Sequence, residues 1–309
     1  IYREISISKV LYPFGFGLSY TDFSVNVTGF VFDGKNVKVT VKVDNTGTVT
    51  GKKAVMLYAS APQGKLSKPV RVLAGFAKTG LLPAGGSEEI GITAPVRAFA
   101  SYDDDGRTGL GTGFILDAGH YTFYIGGDVT SDLEAGSFDL EVPVLLESLK
   151  NMMGPTKAFK RLIAVPCASG NGFEKVYEDV PLMNVSYVDS RSSRLPAEIP
   201  QTGDKGIRLN DVRQGKNTLD EFIAQISDEE LCLLIRGEGM GSSKATIGTA
   251  AAFGGISKGL KALGIPTLCC SDGPSGMRID SGKKAFSLPN GTCLASTFNT
   301  ALVEELYRS

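Results

Sequence analysis

Apolar and polar residues alternate along much of the first half of the chain. Between residues 37 and 43, the sequence VKVTVKV places a valine at every second position. Because successive side chains of a strand point to opposite faces, this period of two predicts a strand with one buried face. Six more runs of strand length share this half of the chain: FSVNV (23–27), AVMLYAS (54–60), VLAGF (72–76), EEIGITA (88–94), HYTFYI (120–125) and FDLEV (138–142).

Turn-forming residues separate these runs. DGKN (33–36) and LLPAGG (81–86) are two of several clusters of glycine, proline and small polar residues between them. Seven or eight short strands with frequent turns are typical of a sandwich of two antiparallel sheets. We therefore predict an all-β fibronectin III-like or immunoglobulin-like sandwich over residues 21–143.

The periodicity weakens after this region and then changes. Residues 144–217 contain many turn-forming residues, and we interpret them as a linker. From residue 218 the pattern becomes α/β. Two helix starts are predicted there by the capping-box sequences T-x-x-E at Thr218 and S-x-x-E at Ser227.

The last part of the chain combines an apolar run, a long loop and a helical pattern. The run at 265–270 predicts a parallel strand, and ALVEELY (301–307) predicts a helix. One parallel strand and one helix cannot bury both faces of a sheet. We therefore expect residues 218–309 to be the beginning of a larger α/β barrel, and the initial Ile1 also suggests a fragment.

Composition excludes several classes of function. The formal net charge is −1, which gives no electrostatic reason to expect nucleic acid or a membrane surface as a partner. The five cysteines lack metal-site spacing, and His120 is the only histidine. We therefore expect reduced cysteines, a cytoplasmic location, and neither a metal nor another cofactor.

Asp272 is the first candidate for chemistry. It follows the apolar run at 265–270, and ligands of α/β folds bind where strands end. Arg278 lies in the same loop. A carboxylate accepts and a guanidinium donates hydrogen bonds, so the pair suits the hydroxyl groups of a sugar. The alternative is that Asp272 only caps its own turn.

Four other features have a chemical and a plain interpretation. The sequence GEGMG (237–241) lacks the spacing of a phosphate-binding loop and favours a flexible loop. The pair Cys269–Cys270 could be redox-active, but a buried strand favours inert thiols. The acidic run Asp103–Asp105 favours a solvated turn over a calcium site. His120 is expected at a strand edge or on the surface.

The segment LYPFGFGLSYTDF (11–23) concentrates aromatic residues around Gly15 and Gly17, and we interpret it as a packed crossover into the first strand. This segment resembles the sequence that opens the fibronectin-like domain of glycoside hydrolase family 3. Residues 41–127 continue that resemblance through VKVDNTGTVTGKKAVMLY (41–58) and LDAGHYTFYIGG (116–127). GIPTLCCSDGPSGMRID (264–280) and LPNGTCLASTFNTALVEEL (288–306) resemble the start of the family's barrel.

The resemblance implies four regions: the tail of an α/β sandwich domain (1–20), the fibronectin-like domain (21–143), a linker (144–217) and the beginning of the barrel (218–309). Their order is that of bacterial β-glucosidases with reversed domain order. Family members are retaining glycosidases that use two carboxylates. The resemblance puts both catalytic carboxylates outside this chain and gives Asp272 and Arg278 a role in binding a β-glucoside or cello-oligosaccharide. Phe298 departs from the tryptophan of many relatives.

The sequence leaves two rival interpretations open. In the first, the chain is a non-enzymatic binding or structural module built on the sandwich. In the second, it is a complete small hydrolase that uses Asp272 together with another acid such as Asp280. The family resemblance predicts instead that the chain alone contains no catalytic residue.

Overall fold

A computed structural model describes residues 10–66, 68–168, 173–280 and 282–308. The chain divides into two compact units. The first unit comprises Ile1–Ser192 together with Ser296–Ser309, and the second comprises Ser193–Ala295. Nearly all of the long strands belong to the first unit, whereas the second combines short helices with a small sheet.

Two antiparallel sheets form the sandwich in the first unit. One has the strand order β1-β2-β5 and the other the order β4-β3-β8-β9. These seven strands are β1 (Phe23–Phe32), β2 (Asn36–Asn45), β3 (Ala54–Ser60), β4 (Val72–Lys78), β5 (Ser87–Pro95), β8 (Gly119–Gly126) and β9 (Leu133–Leu140). All seven runs predicted from the alternating pattern are therefore strands, and the predicted sandwich is confirmed.

Strand β2 shows how the alternating pattern gives a strand one buried face. Val37, Val39, Val41 and Val43 are each at most 1% exposed, while the residues between them point away from the core. The opposite sheet contributes Leu57, Phe123 and Ile125 among other side chains to the same cluster. Burying a valine or larger apolar side chain contributes roughly 1.5–3 kcal/mol, so these facing rows stabilise the fold.

A third, smaller sheet and a separate hairpin extend this unit. The sheet has the order β10-β7-β6 and consists of β6 (Ser101–Asp103), β7 (Gly113–Leu116) and β10 (Val144–Ser148). The hairpin pairs β11 (Lys160–Pro166) with β12 (Phe173–Asp179). Sequence periodicity predicts neither β10 nor the hairpin. The hairpin has no continuous apolar row, since Leu162 and Tyr177 are exposed among charged neighbours.

Ion pairs join this hairpin to the turn that follows β6. Arg161 Nη1 lies 2.6 Å from Asp104 Oδ2, and its Nε lies 2.7 Å from Glu178 Oε1. Arg107 Nη1 lies 2.5 Å from the other oxygen of Glu178. Burial by itself would raise the pKa of Glu178, but hydrogen bonds from both arginines lower it below its usual value. These ion pairs therefore attach the hairpin to the turn that follows β6.

The segment before β1 departs from the packed crossover that the sequence suggests. Leu11, Leu18 and Tyr20 are 88%, 93% and 99% exposed, so most of its apolar side chains are not buried within the described residues. Phe14 is one point of attachment. Its carbonyl oxygen accepts hydrogen bonds from the amide of Val129 (2.9 Å) and from the Tyr58 hydroxyl (3.3 Å).

The second unit is built from short helices around a small core. The core consists of Phe222, Ile226 and Leu260, with further apolar side chains packed around them. Its helices are α2 (Leu209–Arg213), α3 (Leu219–Ala224), α4 (Asp228–Arg236), α5 (Lys258–Ala262) and α6 (Gly291–Ala295), whereas α1 (Tyr187–Ser192) and α7 (Thr300–Arg308) belong to the first unit. No helix among the described residues is long and apolar enough to cross a membrane.

Both predicted helix starts are present. Thr218 and Glu221 form the reciprocal capping box at α3. At α4, the Ser227 hydroxyl accepts from the amide of Glu230, as expected. The Glu230 carboxylate instead accepts a 2.5 Å hydrogen bond from Ser257, the residue that caps α5. The second motif therefore caps one helix and also links it to the next.

The small sheet of the second unit is antiparallel, so the predicted parallel pairing of the strand at 265–270 is wrong. The sheet has the order β13-β14-β15 and consists of β13 (Glu238–Gly239), β14 (Ala251–Gly254) and β15 (Thr267–Cys270). Both ladders are antiparallel. An apolar run alone carries no information about the direction of its partner, which is the reason for this error. Strand β15 is an edge strand and is largely exposed.

Candidate functional site

The candidate site is the loop that begins directly after β15. Asp272 and Arg278 form an isolated antiparallel bridge, in which the Arg278 amide donates to the Asp272 carbonyl oxygen at 2.7 Å. The turn between them requires glycine. Gly273 has φ +104°, and a Cβ there would lie 2.0 Å from the carbonyl oxygen of Gly276. This tight turn brings the two predicted residues together.

The side chains of the bridge also pair. Arg278 Nη1 lies 3.3 Å from Asp272 Oδ2, and Arg278 Nε lies 3.2 Å from Asp280 Oδ1. The guanidinium is therefore flanked by two carboxylates, which we call the Asp272–Arg278–Asp280 group. Their side chains are 52%, 62% and 42% exposed, so each of the three remains accessible to a ligand.

Asp272 also caps its own turn. Its Oδ1 accepts a 2.7 Å hydrogen bond from the amide of Gly273, which agrees with the turn-capping alternative. Capping and ligand binding do not exclude each other, because each carboxylate oxygen can accept more than one hydrogen bond. The loop is held at a further point, since the Asp280 amide donates to the Gly248 carbonyl oxygen at 3.0 Å.

The acidic run at 103–105 is not the solvated turn that the sequence suggests. Asp103 is completely buried, and its two oxygens accept from the amides of Asp105, Arg107 and Thr108 and from the Thr108 hydroxyl. Burial by itself would raise the pKa of Asp103, but these hydrogen bonds lower it. Among the residues that the structure describes, no group of His, Cys, Asp or Glu is arranged to hold a metal ion.

Two further candidates differ from their predicted environments. Gly237, the first residue of GEGMG, ends α4 with φ +66°, and the next two residues form β13 rather than a flexible loop. Cys269 is exposed and Cys270 is partly exposed, so the predicted burial of both thiols is wrong. The cause is the position of β15 at the sheet edge.

His120 is exposed on β8, as predicted, and lies 2.9 Å from Asp139.

The sequence does not reveal the partners that lie far apart along the chain. Ser257 and Glu230 are 27 residues apart, and Arg107 and Glu178 are 71 residues apart. No local motif connects such pairs. Asp280 is different, since it lies two residues from Arg278; the sequence offers it as a possible acid, and the structure shows it as a partner of the guanidinium.

Comparison with known proteins first defines the class of domain. Residues 53–129 match the family model described as a fibronectin type III-like domain, and these residues include β3, β4, β5 and β8 of the sandwich. The chain thus consists of a fibronectin type III-like sandwich followed by a partial α/β barrel segment.

The similarity then extends over almost the whole chain. The chain is 50% identical over 97% of its length to a β-glucosidase of Ruminococcus albus, and 32% identical over 96% of its length to β-glucosidase A of Butyrivibrio fibrisolvens. A solved β-glucosidase structure from Paenibacillus barengoltzii matches 99% of the chain, with 44% identity and a TM-score of 0.92. The predicted resemblance to family 3 β-glucosidases is confirmed. The chain spans 31%, 39% and 34% of the lengths of these three proteins, respectively.

Proposed function

We propose that this chain is part of a β-glucosidase that hydrolyses terminal, non-reducing β-D-glucosyl residues with retention of configuration. The observation that carries the proposal is the 50% identity to a β-glucosidase over 97% of the chain. The match includes both the sandwich and the α/β segment. A non-enzymatic binding module built on the sandwich alone would not require the second of these, so that alternative is not favoured.

Within this proposal, Asp272 and Arg278 bind the sugar. The carboxylate accepts from vicinal hydroxyl groups, and the guanidinium donates to their oxygens. Two observations support this role. The groups are 3.3 Å apart, and both are about half exposed in the loop that follows a strand. The guanidinium carries five N–H groups, and its two ion pairs leave donors for a ligand.

We further propose that the chain supplies binding groups and no catalytic carboxylate. Retaining hydrolysis needs a nucleophile and an acid/base about 5–5.5 Å apart on opposite sides of the glycosidic bond. Asp272 and Asp280 are both ion-paired with Arg278, and the family resemblance implies that both catalytic carboxylates lie outside this chain, so the rival in which these two acids form the catalytic pair is not favoured. In this proposal the reaction needs no metal or other cofactor.

The proposed division of labour follows the four regions 1–20, 21–143, 144–217 and 218–309. The sandwich is structural, and residues 218–309 provide sugar contacts. We also propose a cytoplasmic location, which the lack of disulfides among the five cysteines supports, since all five lie in the described part of the chain.

The test uses a protein of the relatives' full length that contains this chain. Two charge-assisted hydrogen bonds to Asp272 are together worth about 3–6 kcal/mol, so Asp272→Ala is expected to lower kcat/KM on a β-glucoside by about 10²–10⁴-fold. Arg278→Ala is expected to lower it less. Asp139→Ala is the control, because that carboxylate is 75% exposed on the sandwich.

The isolated chain of 309 residues is expected to release no chromophore from a chromogenic β-glucoside. Turnover by the pure chain that disappears in both Asp272→Ala and Asp280→Ala would instead establish the small-hydrolase alternative. A folded, full-length Asp272→Ala variant within about threefold of wild type, equivalent to about 0.65 kcal/mol, would show that Asp272 only caps its turn.

A further inference from the structure

The outer face of the four-stranded sheet carries a second apolar cluster. Met56 and Tyr58 alternate with the core-facing residues of β3 and therefore point away from the sandwich interior, yet they are only 3% and 0% exposed. Val129 completes the buried part of this cluster. A strand that is buried on both faces needs a cover on its outer side, and the segment around Phe14 provides only part of it.

Phe298 provides another part of this cover, although it lies more than 200 residues further along the chain. Its ring packs against the outer cluster. It stands edge-on to Phe76, with centroids 5.3 Å apart and planes at 81°, and edge-on to Phe14 at 6.4 Å and 83°. Perpendicular contacts of this kind are favourable because the positive edge of one ring meets the negative face of another.

The backbone around Phe298 is also held in an unusual state. Phe298 has φ +47°, and among the described residues it is the only non-glycine with positive φ. A bulky residue in this region is strained and persists only where its surroundings impose the conformation. The preceding carbonyl oxygen, that of Thr297, accepts a 2.6 Å hydrogen bond from Lys78 Nζ on β4. Burial lowers the pKa of Lys78, as does the charge of Lys52.

We propose that Phe14, Met56, Tyr58 and Phe76 form a largely aromatic pocket. Phe298 is then the anchor: its ring packs in this pocket and attaches the chain's own segment 296–308 to the sandwich. The partner that this surface fits is a single aromatic side chain presented from a left-handed turn. The strain at Phe298 is offset by the ring contacts and by the Lys78 hydrogen bond. This proposal does not depend on the proposed function.

The first test measures amide hydrogen exchange over residues 296–308 in the complete chain. Phe298→Ala keeps the unfavourable positive φ and removes the ring. We expect exchange in this segment to become about tenfold faster or more, equivalent to about 1.4 kcal/mol. Phe298→Asn separates the two roles of the residue, because asparagine tolerates the left-handed conformation. If exchange in Phe298→Asn is as fast as in Phe298→Ala, the ring of Phe298 is what anchors the segment, which supports the proposal. Exchange equal to wild type in Phe298→Asn shows a turn residue only and overturns the proposal, as does unchanged exchange in Phe298→Ala.

The second test exploits the absence of tryptophan from the chain. Phe298→Trp introduces a single indole at the anchor, and Tyr20→Trp introduces one at a ring that is 99% exposed. We expect the indole at 298 to emit at shorter wavelength and to be quenched less by acrylamide than the indole at 20. Equal emission and quenching in the two variants would overturn the proposal. This comparison decides the question if Phe298→Ala fails to fold.

Discussion

Replacing Asp103 by asparagine tests the most completely buried carboxylate that the structure describes. The substitution retains the shape and one acceptor oxygen, which can still serve the amides of Asp105 and Arg107. The second oxygen now accepts from the Thr108 amide at 2.9 Å and the Thr108 hydroxyl at 2.7 Å. In the variant, an NH₂ group can face these donors instead. The Thr108 hydroxyl can rotate to accept, but the amide is left without its partner.

The expected loss of stability follows from these contacts. A hydrogen bond to a charged group contributes about 1.5–3 kcal/mol, and an unsatisfied buried donor costs about 1–3 kcal/mol. Because these contributions overlap, we expect Asp103→Asn to lower the free energy of unfolding of the first unit by about 2–4 kcal/mol. Asp105→Ala is the matched control, since its carboxylate is 53% exposed and lies 3.6 Å from Arg107, and such a pair contributes at most about 1 kcal/mol.

The assay is urea unfolding of the complete chain, monitored through a spectroscopic signal of the sandwich. The measurement is repeated at several pH values. Because the pKa of Asp103 is lowered on folding, its stabilisation is fully present above its ordinary value of 3.8 and is lost as pH falls through the lower folded value. The difference between wild type and Asp103→Asn should therefore shrink below about pH 4. A loss no larger than that of Asp105→Ala at pH 7 would refute the role assigned to the buried carboxylate.

Two further substitutions test the packing of the sandwich by the same unfolding assay. Val39→Ala is expected to lower the free energy of unfolding by about 2–3 kcal/mol, because the side chain is 1% exposed. Its control is Val31→Ala on the neighbouring strand, at 56% exposure, which should change stability by less than about 0.5 kcal/mol. Equal losses in the two variants would contradict the assigned core. Gly15→Ala is expected to cost about 1–3 kcal/mol, because φ is +93° and a Cβ would meet backbone and side-chain atoms within 3 Å, while Gly17→Ala meets nothing within 4 Å and should be tolerated. A tolerated Gly15→Ala would show that the segment can move away from the sheet.

The sandwich could be predicted from the sequence because its information is local. The alternation in 37–43 identifies the buried face of β2 without knowledge of any partner. Likewise, the seven residues from Asp272 to Arg278 contain their own turn, so the approach of the two end residues follows from the glycines and the proline between them. Local hydrogen-bonding motifs also revealed the helix start at Thr218.

What could not be predicted depends on partners from distant parts of the chain. Lys78 and Thr297 are 219 residues apart, and Arg161 and Asp104 are 57 apart. The burial of Asp103 depends on how the following loop folds back, which the acidic composition of the run does not specify. The direction of pairing of β15 is equally undetermined by its own residues. Exposure of Cys269 follows from the position of β15 at the edge of its sheet, which its own residues do not specify either.

The distribution of thiols gives the two ends of the chain different reactivity. Residues 1–166 contain no cysteine, whereas Cys232, Cys269 and Cys293 are all exposed in the second unit. Cys269 Sγ lies 3.0 Å from the Thr246 hydroxyl, within reach of solvent and of small electrophiles. Oxidants and alkylating reagents will therefore mark the α/β segment and leave the sandwich unmodified. Covalent dimers that form under oxidising conditions will be joined through cysteines beyond residue 166.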